Sequence, residues 1–160
     1  MSDIKLNIVR TAKDKIFDIV FLVLTLTIWG IIICLISRAP DIVPTHFGPS
    51  GKPDAYGSPT FILIPSTIMT VVALLCAFSI YLPIASINLP LYKGAGNAKQ
   101  KKLGIILSRI IALFILGLML FIAIYTLGIK NHESAMPILI IVGLIIGISL
   151  VFTIMMYRAK

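Results

Sequence analysis

The stretch 19-IVFLVLTLTIWGIIICLIS-37 runs for nineteen residues without a charge. Wound as a helix at about 1.5 Å per residue, it covers close to 30 Å, the thickness of bilayer hydrocarbon. Lipid offers the backbone no hydrogen-bonding partner, so a spanning segment must satisfy itself, and the run shows no strand-like alternation. It is too long for a signal-peptide core and lacks a small-x-small cleavage site, so it is expected to be retained.

Three further segments read the same way: Thr60 to Pro83, Leu103 to Ile129 with one interruption at Arg109, and Ser134 to Tyr157. Of the 160 residues 59% are hydrophobic and only 12% charged, with mean hydropathy +1.07. That is too little polar surface to cover a soluble globule. The expected fold is an all-α integral membrane protein, one domain over 1–160, with four transmembrane helices near 17–37, 60–82, 103–128 and 135–157.

The net charge of +8 is distributed in a pattern that fits membrane topology better than nucleic-acid binding. Lys5, Arg10, Lys13, Lys15, Lys93, Lys99, Lys101, Lys102, Arg158 and Lys160 fall in three segments; the alternate loops hold only Arg38, Lys52 and Lys130. Cytoplasmic loops collect the cations. Both termini and the 83–102 loop are therefore expected in the cytoplasm, with residues 38–59 and 129–133 outside and the chain multi-pass in the cell membrane. Cys34 and Cys76 sit at different depths, over about 20 Å apart, and cannot form a disulfide.

Several local signals mark the helices. In 3-DIKLNIVRTAKDKI-16 apolar residues recur four apart between cations, which suits an interfacial helix or a polar tail. Asp18 marks the cytoplasmic entry to the first helix. Ser58 is the expected N-cap and Pro59 the first residue of the second helix. Pro65 is expected to kink that helix, with Ser66, Thr67 and Thr70 serving freed carbonyls. Pro83 and Pro90 break the cytoplasmic side, and Asn97 caps the third helix. Arg109, six residues past Leu103, is read as snorkelling toward headgroups, with Asp18 a possible partner. Gly143 and Gly147 form a small-xxx-small pair suited to close helix packing, within the chain or with a second copy.

Catalytic chemistry has little to stand on. Ile19 to Ser37 and the second and fourth helices carry no Asp, Glu, His, Lys or Arg, so the buried carboxylate of a proton-coupled exporter is missing. There is no Cys-x-x-Cys and no His-Glu-x-x-His. No enzyme, cofactor or metal is expected unless a site is assembled entirely on the outer face.

What remains is the loop 38–59. Pro40, Pro44, Pro49, Pro53 and Pro59 fix φ repeatedly, and Gly48, Gly51 and Gly57 permit turns. The segment is expected to be ordered without helix or strand, with His46 and Asp54 on one side near Tyr56. Three readings stand: it caps the bundle, His46 and Asp54 bind a metal, or it is a rigid recognition surface. His132 and Glu133 of the second outer loop are expected close by.

The string 39-APDIVPTHFGPSGKPDAYGSP-59, followed by 63-LIP-65, resembles the N-terminal domain of SdpI-type membrane proteins, which are bacteriocin-immunity and toxin-sensing proteins. The pattern falls on Pro40, Val43, Pro44, His46, Phe47, Gly51, Pro53, Asp54, Tyr56, Gly57 and Ser58, with Val43 where Ile is more usual. The segment 88-NLPLYKGAGNAKQKK-102 is similar to the family's cytoplasmic loop. Full immunity members carry further helices in a second domain. The resemblance implies a membrane-embedded binding or sensing module whose loop recognises an extracytoplasmic peptide or toxin. Phe47 and Tyr56 would be apolar anchors, and His46 and Asp54 polar contacts. The alternative is a structural or accessory subunit packing with a transporter or with itself.

Overall fold

The computed structural model describes residues 11–81, 98–128 and 136–158. Most of the expected interfacial stretch, Pro83, Pro90, the Asn97 cap, His132 and Glu133 lie outside the described residues.

Helix α1 spans Ala12–Ile36 and so begins ahead of its apolar run. The cause is a capping box: the Thr11 hydroxyl accepts the Asp14 N–H at 3.4 Å, and the Asp14 carboxylate accepts the Thr11 N–H at 2.8 Å. Two of the orphan donors at the helix start are thereby satisfied.

The second helical segment opens at Ser58 as expected, with the Ser58 hydroxyl accepting the Thr60 N–H at 3.4 Å and Pro59 following it. Its first turn, Pro59–Ile62, is a 3-10 turn, and α2 proper spans Leu63–Ala77. Pro65 thus falls in the first turn of α2, where its missing N–H costs little. The change of winding at Leu63 stands where a kink was expected. Thr67 and Thr70 donate to the carbonyls of Leu63 and Ser66 at 2.7 and 2.8 Å. The segment ends earlier than expected, with a short 3-10 turn at Ser79–Tyr81. Helix α3 spans Ala98–Gly128 and α4 Met136–Arg158.

Among the described residues three helices, Ala12–Ile36, Pro59–Ala77 and Lys102–Leu127, are long and apolar enough to cross a membrane. Large apolar side chains are exposed on all three, among them Ile19, Leu26, Ile33, Ile64, Ile68, Val71 and Leu113. An outward apolar surface of this extent suits lipid.

The core is narrow and follows α3, which packs against α1, α2 and α4, whereas α1 and α2 touch each other little. On α1 the buried positions are Asp18, Phe21, Thr25, Ile28 and Ile32, spaced by three and four as one helix face requires. They meet Ala112, Leu116, Met119 and Ala123 of α3 and Ala73 and Ala77 of α2. Alanines let helix backbones approach closely where there is no hydrophobic drive between helices. Among the described residues nothing packs on the expected Gly143/Gly147 pair: both are exposed, and a Cβ built on either meets nothing within 4 Å.

Polar links cross the bundle. The Trp29 indole N–H donates to Thr70 Oγ1 at 3.0 Å, and that hydroxyl lies 3.4 Å from Met119 Sδ, so one threonine joins three helices. Ser108 of α3 donates to the Cys76 carbonyl of α2 at 2.8 Å. Both cysteines are free, as their depths require.

Arg109 reaches the start of α1, where the expected partner Asp18 is joined by a nearer one, Asp14. The Arg109 side chain is 14% exposed, and Nη1 donates to Asp14 Oδ1 at 2.6 Å. Nη2 stands 4.0 Å from Asp18 Oδ1, and the guanidinium lies 4.6 Å from the Phe17 ring centroid. Asp18 accepts from the Tyr81 hydroxyl and is 5% exposed. A buried carboxylate therefore stands one residue outside the apolar run, at the entry to the first span.

Candidate functional site

The segment between α1 and α2 is a β-hairpin, not the strandless loop expected, and it qualifies the all-α reading. Strand β1, Val43–Phe47, pairs antiparallel with β2, Pro53–Gly57. Its tip follows from four residues, 48-GPSG-51. Gly51 N–H donates to the Gly48 carbonyl at 2.8 Å, closing a turn with Pro49 in its second position. Ser50 has no positive φ, while Gly51 has φ 75°. A turn with Pro second and no left-handed central residue is type I. A left-handed residue after it, here glycine, is what lets a hairpin close. Gly48 N–H then bonds the Lys52 carbonyl at 2.9 Å, beginning the ladder.

The ladder is irregular, and the irregularity builds the site. Partners run Val43↔Gly57, Pro44↔Tyr56, His46↔Ala55 and Phe47↔Pro53. Thr45 is therefore an extra residue in β1 and Asp54 an extra residue in β2. Bulged residues leave the alternation of the strand and are re-aimed. Asp54 Oδ1 lies 2.6 Å from His46 Nδ1. An ionised carboxylate only accepts, so His46 Nδ1 carries a proton and donates; in the neutral ring this tautomer leaves the lone pair on Nε2. The other carboxylate oxygen lies 2.9 Å from where a Cβ on Gly48 would stand. Glycine at 48 is thus what makes room for the His46–Asp54 contact. At Gly57 an added Cβ would come within 3.2 Å of Thr45 Cγ2, a milder constraint.

The expected site residues separate into two groups. His46 and Asp54 are together and open to solvent, with side chains 69% and 50% exposed. Tyr56 is 62% exposed on β2. Phe47, by contrast, packs on α3, its ring centroid 6.2 Å from that of Tyr125, which stacks on Phe121 at 5.9 Å. Val43 at the hairpin base is 3% exposed and joins the core with Ile62 and Leu127. Pro40, Pro44, Pro53, Gly51 and Ser58 belong to the hairpin's frame. Among the described residues no group of three or more His, Cys, Asp or Glu could hold a metal.

Two features escaped the sequence reading. Gly48 was seen only as a turn residue, since nothing in the string tells which carboxylate will fold over it. The other is a groove of about 430 Å³ between β1 and the helices, walled by β1 on one side and by Phe61, Ile64, Pro65 and Ile68 on the other, with Ile122 and Thr126 of α3 beneath. Its parts come from three distant stretches of chain.

Residues 22–70 match the model of DUF1648, a domain of unknown function and a membrane-associated family. The match runs from the third turn of α1 through the hairpin into α2, and so covers His46, Asp54 and Tyr56 but not the α3 residues beneath the groove. No curated protein and no solved structure matches the chain.

Proposed function

We propose that this chain is a multi-pass cell-membrane protein with four transmembrane helices, both termini cytoplasmic and the hairpin outside. We propose further that the hairpin recognises an extracytoplasmic peptide or toxin, as the resemblance to SdpI-type proteins implies. The fourth span is α4, whose 23 residues from Met136 to Arg158 give about 35 Å of helix. The orientation rests on the distribution of cations.

The observation that carries the binding reading is the exposed His46–Asp54 pair on a hairpin held by a fixed turn, with Tyr56 exposed on the same strand as Asp54. A polar pair and an aromatic ring on a rigid support lose little entropy when a partner docks. Phe47, packed on Tyr125, holds the hairpin in place and is removed from the list of anchors. The test expresses the protein in toxin-sensitive cells and compares Asp54→Asn and Tyr56→Phe with Gly51→Val. All variants are first matched for membrane abundance. Protection lost in the two near-isosteric variants supports direct recognition; a chain that never protects against any such toxin sinks the reading.

A second reading, an accessory subunit packing with another membrane protein or with itself, is favoured by one observation. Gly143 and Gly147 lie on an exposed face of α4 with open space around them. Small residues there leave a shallow track on which another helix can lie.

A further inference from the structure

The groove beneath β1 has a chemistry of its own. Its volume of about 430 Å³ lies in the range of roughly 300–1,000 Å³ typical of small-molecule sites. Its walls are almost wholly apolar, and among the described residues the only polar side chains along it are Thr45, His46 and Thr126. Thr126 is 8% exposed and deep on the α3 side, whereas His46 stands at the solvent-exposed hairpin.

The open side decides the occupant. Ile64 and Ile68 line the groove and are 58% and 61% exposed. They continue along α2 into Val71, Val72 and Leu75, which are also exposed. This is the outward face of a segment long and apolar enough to cross a membrane. The groove is therefore a sideways extension of the lipid-facing surface.

An extended peptide suits it poorly. Peptide N–H and C=O groups left unpaired in an apolar slot cost several kcal/mol, and Pro44 in the β1 wall has no N–H to offer. A hydrocarbon chain carries no such groups.

We infer that the groove seats an acyl chain of a bilayer phospholipid from the leaflet next to the hairpin, with the lipid's polar end toward His46. The hairpin would then rest partly on lipid, and its pose would depend on the bilayer. This goes beyond recognition of a peptide and does not require it.

The test reconstitutes the purified full chain in phosphatidylcholine nanodiscs that contain a trace of the same lipid with a diazirine in mid-chain. After irradiation, adducts are mapped by mass spectrometry. Lipid at the general protein surface labels Val71 and Leu75; lipid in the groove also labels β1, Val43–Phe47. Filling the floor with Ile122→Trp should cut the β1 adducts about tenfold and leave those at Val71 and Leu75 unchanged. Ile68→Trp narrows the mouth from a different helix and should do the same, which guards against one variant failing to fold. Absence of β1 adducts in the wild type while Val71 and Leu75 are labelled overturns the inference. So does β1 labelling that survives both tryptophans, or cross-linking of β1 to a second copy in place of lipid. The toxin-protection assay reads a different outcome, so either proposal can fail without the other.

Discussion

Arg109 of α3 places Nη1 2.6 Å from Oδ1 of Asp14, and both side chains are about 15% exposed or less. The pair pins the start of α1 to the start of the third span. Breaking a largely buried pair leaves a charge without its counterpart, at a cost of about 3–5 kcal/mol when fully buried. Slight exposure reduces this, so Arg109→Met is expected to destabilise by about 2–3 kcal/mol. Arg109→Lys keeps the charge but loses the fork and should recover only part. Thermal melting in detergent checks both; a melting point unchanged in Arg109→Met would show the pair to be ornamental.

Trp29 and Thr70 offer a cleaner measurement. Hydrogen bonds between membrane helices are worth about 0.6 to 2 kcal/mol. The cycle Trp29→Phe, Thr70→Val and the double variant should give a coupling in that range. A coupling indistinguishable from zero would mean that Thr70 serves only the Ser66 carbonyl.

The hairpin tip separates two kinds of glycine. Gly51→Ala forces a side chain into φ 75° and should destabilise the hairpin by about 1–2 kcal/mol. Gly48→Ala instead displaces the Asp54 carboxylate, now 2.9 Å from the new methyl position. Its expected effect is a change of His46 tautomer from Nδ1–H toward Nε2–H, read by nitrogen NMR at neutral pH, as in Asp54→Asn. If His46 keeps its tautomer in both variants, the carboxylate is not what sets it.

Membrane topology has a parity test. If α4 crosses the bilayer, fusions before Met1 and after Lys160 report the same compartment, and a cysteine at Ser50 labels from the other side. Opposite reports from the two fusions would reduce the spans to three.

Gly143→Leu distinguishes the roles open to α4. With nothing near the glycine, the substitution should change monomer stability by no more than about 0.5 kcal/mol. A partner helix lying on that face would be pushed off, visible as a change of oligomeric state in native mass spectrometry.

Much of this was legible in the chain. The apolar runs announced α1 to α4, and Ser58 with Pro59 marked the start of the second helical segment. The proximity of His46 and Asp54 was also expected, because so many prolines leave the loop few paths. The strands were hidden by their brevity, by Pro44 and Pro53, and by bulges at Thr45 and Asp54 that break the alternation a strand is recognised by. Thr11 and Asp14 did spell a capping box, but the cations between and beside them read as a polar approach to the membrane. The roles of Phe47 and Arg109 depend on Tyr125 and Asp14, far off in sequence, and no local pattern links them.

The position of α3 bears on how the protein is made. Helices α1 and α2 leave the ribosome before α3, yet they share few contacts, and their buried faces are shaped for a helix not yet synthesised. The early pair is held by Trp29–Thr70, by the Tyr81 hydroxyl on Asp18 and by the edge contact of Phe21 with Phe78. Phe47 likewise waits for Tyr125 before the hairpin has a floor. Until the third span enters, the nascent chain is a pair of threaded but loosely associated rods, and its consolidation is a late, single event.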